Sequence, residues 1–112
     1  MTNTRWSNWI IMPSPDSCRK IEALSGPGIY QIRNRVTMQN IQFGIGVRCQ
    51  KRMKSLFPKP YGVGTRNNEN KRMYILTNWK DLEYRTFATD SRAEAKLIED
   101  SIKAQNNHLF NT

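Results

Sequence analysis

The sequence predicts a small α+β domain: a three-stranded antiparallel sheet flanked by helices. Three observations predict it. The chain has 112 residues, enough for one core and too few for two. Three short runs carry apolar residues in strand-like patterns, and the segments between and after them repeat apolar residues at helical spacing. With 38% apolar, 24% charged and 10% aromatic residues, the composition is that of a folded globule.

Residues 1–27 are expected to be a lead-in packed on a domain of residues 28–112. Pro13, Pro15 and the Ser25-Gly26-Pro27-Gly28 turn break any long element there, and Trp6 and Trp9 are the side chains able to anchor it. In Gly28 to Asn34, Ile29 and Ile32 flank Tyr30 and Gln31, which predicts the first strand. Ile41 to Ile45 repeats the pattern, and Thr37 to Asn40 suits a hairpin loop, so the two strands should pair antiparallel.

Beyond Gly46, Cys49, Met53, Leu56 and Phe57 lie at offsets of four, seven and eight, one apolar face of a helix that Pro58 and Pro60 end. Tyr61 to Asn68 reads as a loop. Asn70 to Trp79 suits a second helix with Met73, Ile75 and Leu76 inward. Leu82 to Thr89, where Leu82, Tyr84, Thr86 and Ala88 alternate with Glu83, Arg85 and Phe87, is the third strand. Ser91 and Glu94 have capping-box spacing, so a last helix starts there and runs to about Gln105. Its buried stripe is Ala95, Ile98 and Ile102, with Lys96, Asp100 and Lys103 on the wet side.

The 18 Lys and Arg against 9 Asp and Glu give a net charge of +9, which favours a polyanionic partner, with nucleic acid the default. Charge does not distinguish binding from cutting. Cys18 and Cys49 make no disulfide framework and no zinc cluster, so reduced thiols are expected. The apolar run Trp9-Ile10-Ile11-Met12 is too brief for a signal core or a membrane span. The expectation is a cytoplasmic protein with no membrane partner, and nothing calls for an obligate protein partner. His108 is the single histidine, and no phosphate-cradling Gly-Lys loop is present.

Glu99 falls four residues after Ala95 and three before Ile102, which sets its carboxylate beside the buried stripe. A salt bridge would satisfy it. So would a divalent ion whose other positions are filled by waters and a phosphate. Tyr30 suits either a core aromatic or a functional hydroxyl. Gly44 and Gly46 permit a close approach of backbone or phosphate, as a simple bulge would also do. The planar fork of Arg52 can take two phosphate oxygens, beside Arg48, Lys51 and Lys54, which a solvated face also explains.

Gly28-Ile29-Tyr30 spells the first signature of the GIY-YIG nucleases, and the chain from Gly28 to Asn111 resembles that superfamily. After Tyr30 come eleven residues and then Gln42-Phe43-Gly44, similar to the second signature; eight positions past that glycine stands Arg52, which matches the family's helical arginine. Ala95-Lys96-Leu97-Ile98-Glu99 resembles the metal-binding glutamate segment, followed twelve positions on by Asn111. The second signature lacks its tyrosine. Gln42 or Phe43 takes that place, Phe43 being the preferred reading, and Leu56 stands where some members carry His or Tyr. Gly26-Pro27-Gly28-Ile29-Tyr30, Phe43-Gly44-Ile45-Gly46 and Gly64-Thr65-Arg66-Asn67-Asn68 are similar to compact single-domain bacterial members, some specific for single-stranded DNA.

The resemblance implies the GIY-YIG fold and a metal-dependent endonuclease that leaves 5′-phosphate and 3′-hydroxyl ends. One Mg²⁺ or Mn²⁺ would sit on Glu99, Tyr30 would act as general base or orient water, and Arg52 would stabilise phosphoryl charge. Phe43, Gly44, Gly46, Arg48 and Asn111 would support the site. Lys51, Lys54, Tyr61, Arg66, Asn67, Asn68, Lys71, Arg72 and Tyr74 are the candidate DNA contacts, with Phe57 and Trp79 further rings for stacking. The alternatives are a branched- or duplex-DNA nuclease and an inactive nucleic-acid-binding module of the same fold.

Overall fold

Side chains alternate across a strand, so the seven residues of Gly28–Asn34 divide between two faces, and both faces are buried. Such a strand belongs inside a sheet. The computed structural model, which describes residues 6–14, 24–47, 53 and 69–110, places it there. The sheet is antiparallel and four-stranded, built from β1 (Ile10–Ile11), β2 (Gly28–Asn34), β3 (Asn40–Gly46) and β4 (Leu82–Ala88) in the order β1-β4-β2-β3. Helix α1 (Glu69–Asn78) continues into a tight turn, Trp79–Asp81, and α2 is Arg92–Gln105.

The sheet therefore has one strand more than the sequence predicts. The described part of the lead-in supplies it: Ile10 pairs with Tyr84 and Ile11 with Glu83, Trp6 bridges to Phe87, and Met12 is fully buried. A two-residue strand has too short a pattern to read.

Two apolar clusters lie on opposite faces. Tyr30 and Ile32 of β2, Leu82 and Tyr84 of β4 and Ile41 of β3 face Met12, Met53 and Ile75 of α1. Ile29, Phe43 and Phe87 face Ala95 and Ile102 of α2. The register of β2 on β3 shifts between Ile32 and Arg33, and this bulge turns Ile41 toward the Tyr30 side. The β2–β3 turn is closed by Asn34, whose Oδ1 accepts from the backbone N–H of Val36 at 2.9 Å and of Thr37 at 3.0 Å.

The start of α2 follows its capping signal. Ser91 Oγ accepts from Glu94 N–H at 3.1 Å, while Glu94 Oε1 accepts from Asp90 N–H at 3.0 Å, one residue earlier than a reciprocal box would have it. Asn106, left-handed at φ 50°, ends the helix. In α1, Ile75 is inward and Leu76 packs at the margin, but Met73 is 45% exposed, which corrects its inward placement. Arg72, three residues before Ile75, takes that face instead. The helix expected over 47–57 and the loop over 61–68 lie outside the described residues, Met53 excepted. Among the described residues, no helix is long and apolar enough to cross a membrane.

Candidate functional site

Tyr30 sits directly across from Gly44, so its ring lies over the neighbouring strand. A Cβ at Gly44 would come within 2.6 Å of the Tyr30 Cε2 and hydroxyl oxygen. Only glycine leaves that space. The tyrosine of Gly28-Ile29-Tyr30 and the glycine of Gln42-Phe43-Gly44 thus form one cross-strand unit, whose hydroxyl points toward the outer strand of the sheet. Tyr30 is 2% exposed.

The position two residues before Gly44 on the same face is Gln42, paired with Ile32 and 2% exposed, and among the described residues no partner within hydrogen-bond distance meets its Nε2. Phe43 points the other way. It pairs with Gln31 and packs edge-on against His108, ring centres 4.7 Å apart. Phe43, the residue preferred for the second signature, thus lies on the face away from Tyr30, and alternation gives the face of Tyr30 to Gln42. Gly46, across from Gly28, ends the strand.

Glu99 is on α2, which packs over β3 and β2 on the face opposite Tyr30. Its side chain is 16% exposed, and Oε1 accepts from Lys96 Nζ at 3.2 Å; Lys96 also pairs with Asp100 at 3.0 Å. These bonds raise the Lys96 pKa, Asp100 contributing most. At 100° per residue, Glu99 lies on the other flank of α2 from Ser101 and Gln105, which face a cleft beside Trp6. Its carboxylate therefore leaves the helix on the flank away from that cleft, where Lys96 meets it. Tyr30 and Glu99 lie on opposite faces of the sheet, and no described contact joins them.

Arg48, Lys51, Arg52, Lys54, Tyr61, Arg66, Asn67, Asn68 and Asn111 lie outside the described residues. Of the remaining candidate DNA contacts, Arg72 is 8% exposed. Tyr74 is partly buried with its ring edge-on to Phe110 at 5.8 Å, and Lys71 is partly exposed. Among the described residues, no group of three His, Cys, Asp or Glu side chains converges.

A polar network that the sequence did not single out covers the α2 face. Arg85 Nε donates to Gln31 Oε1 at 2.8 Å, which turns the Gln31 amide nitrogen to His108 Nε2, 3.1 Å away. An amide nitrogen only donates, so His108 Nε2 accepts and the ring is neutral, with its proton on Nδ1. Burial lowers the His108 pKa in the same direction. The Arg85 guanidinium carbon lies 4.1 Å from the Trp6 ring centre and 4.6 Å from that of Trp9, and Arg33 lies 3.9 Å from Trp9 while pairing with Glu83. The available signal was the placement of Gln31, Arg33 and Arg85 at strand positions that alternation assigns to one face.

No protein family, curated protein or solved structure matches this chain. What the coordinates define is an α+β domain around a four-stranded antiparallel sheet.

Proposed function

We propose that the chain is a metal-dependent endonuclease that hydrolyses phosphodiester bonds in single-stranded DNA and leaves 5′-phosphate and 3′-hydroxyl ends. The observation that carries this reading is the Tyr30–Gly44 pair. Two sequence segments that resemble paired nuclease signatures are antiparallel neighbours in register, and the tyrosine uses the space that the glycine leaves. The net charge of +9 supports a polyanionic substrate.

Glu99 fits a hard cation. Lys96 holds Oε1, and a single carboxylate suffices where waters and substrate phosphate complete the shell. A Mg²⁺ or Mn²⁺ bound there supplies charge neutralisation at the departing 3′ oxygen. Tyr30 orients the attacking water through its hydroxyl or accepts its proton, and Arg52 holds the non-bridging oxygens as charge builds on them. For Tyr30, which reaches over Gly44, and Glu99, on the other face of the sheet, to act together they would have to meet around the edge of β3.

A second reading, a nucleic-acid-binding module without cleavage, is favoured by the burial of Tyr30 and by the Lys96–Glu99 pair. Labelled single-stranded, hairpin and duplex DNA, incubated with wild type and Glu99→Ala with and without divalent ion, separates the two. Cleavage of single strands that needs the metal and falls by about a hundredfold or more in Glu99→Ala is expected. Binding with no cleavage by either protein would support the module instead.

A further inference from the structure

The sheet face away from Tyr30 carries an open cleft of about 370 Å³ between α2 and the Trp6 segment. Arg85 stands in it. The two arginines of this face are not equivalent: Arg33 pairs with Glu83, whereas Arg85 has no carboxylate partner among the described residues. Burial, with Arg33 nearby, lowers the Arg85 pKa, as expected of a cation without a counter-ion. Gln31 takes its Nε, and Trp6 and Trp9 lie against the guanidinium. The plane of the group is fixed, and the terminal nitrogens remain as a fork for an anion.

The rest of the cleft suits what an anion of this kind would carry. Phe87 and Ile102 give an apolar floor, and Ser101 and Gln105 place a hydroxyl and an amide on the exposed rim. The volume is at the small end of ligand sites, about 300–1,000 Å³, too small for a duplex segment. We propose that this cleft binds one nucleotide, its phosphate on the Arg85 fork and its base on the apolar floor, with the base edge toward Ser101 and Gln105. A free nucleoside monophosphate and one unit of a single strand offer the same chemistry. The site is separate from the cleavage proposed above.

Calorimetric titration of the full chain with adenosine monophosphate, inorganic phosphate and a short single strand, in chelator, tests it without any contribution from cleavage. Saturable nucleotide binding is expected, weakened by about tenfold or more in Ser101→Glu, which puts a longer, charged side chain at the rim where the base edge lies and adds a like charge to the cleft that takes the anion. Arg85→Gln should act in the same direction, and Glu99→Ala should leave the affinity unchanged. A parallel loss of strand affinity in Ser101→Glu identifies the strand as the source, and a loss confined to the monophosphate identifies the free nucleotide. Unchanged nucleotide affinity in Ser101→Glu, or inorganic phosphate binding as tightly as the nucleotide, would overturn the proposal. Cleavage that survives such a result leaves the nuclease reading standing.

Discussion

Tyr30 and Gly44 show how much one hydrogen in place of a methyl can decide. Alanine at Gly44 would drive a Cβ to within 2.6 Å of a ring that is held in the core and has no room to swing. Gly44→Ala should therefore cost about 1–3 kcal/mol in chemical denaturation. Gly28→Ala should cost more, since its Cβ would meet the Phe87 carbonyl oxygen at 2.7 Å as well as Leu24 at 2.5 Å, and backbone yields less than a side chain. A Gly44→Ala cost near zero would show that the Tyr30 ring is not seated as described. At His108 the outcome depends on pH. Its folded pKa is below the ordinary 6.5, so the unfolded chain binds the extra proton first as pH falls. Stability should be unaffected above that value, decline from there down to the folded pKa, and decline less steeply in His108→Gln. Thermal melts between pH 7 and pH 5 measure the difference. The Gln31 contact reinforces the effect, because a protonated Nε2 would face an amide donor.

At the scale of elements, regular patterns were legible and irregular ones were not. The bounds of β2, the antiparallel pairing to β3, the strand at Leu82 and the span of α2 followed from alternation, turn residues and a cap, which are local properties of the chain. Ser91→Ala removes the acceptor for Glu94 N–H and should lower stability by about 1 kcal/mol, with α2 fraying first in hydrogen exchange. A loss spread evenly over the sheet would argue against a local cap. The bulge beside Ile41 was not legible, and its effect is large, since a slip of one residue exchanges the faces of a strand. Its reach stops at Asn40 and Ile41: from Gln42 to Gly46 the register is continuous, and Phe43 was preferred for the second signature because it is the aromatic residue there, whereas Gln42 shares the face of Tyr30. The burial of Arg72 had a signal in its spacing to Ile75, but a charged residue at such a position looks the same as one whose stem alone is covered.

At the scale of the whole molecule, a net charge of +9 suits the proposed polyanionic substrate, and neither it nor the α+β frame specifies chemistry. Chemistry requires groups far apart in sequence to meet. The sheet puts Tyr30 and Glu99 on its two sides, and the proposed chemistry needs them to meet around the edge of β3, while the polar cluster around Arg85 occupies ground of its own. The cluster was hidden in the sequence because Trp6, Gln31, Arg85 and His108 come from four separate segments, and no short-range pattern links them. Paramagnetic broadening by Mn²⁺, recorded on the amide signals with a non-hydrolysable single strand bound, tests the meeting of Tyr30 and Glu99 most directly. The account predicts that Glu99, Gly44 and Ile45 broaden together at low Mn²⁺ and that all three recover in Glu99→Gln. Broadening confined to acidic groups elsewhere, with Gly44 sharp throughout, would contradict it.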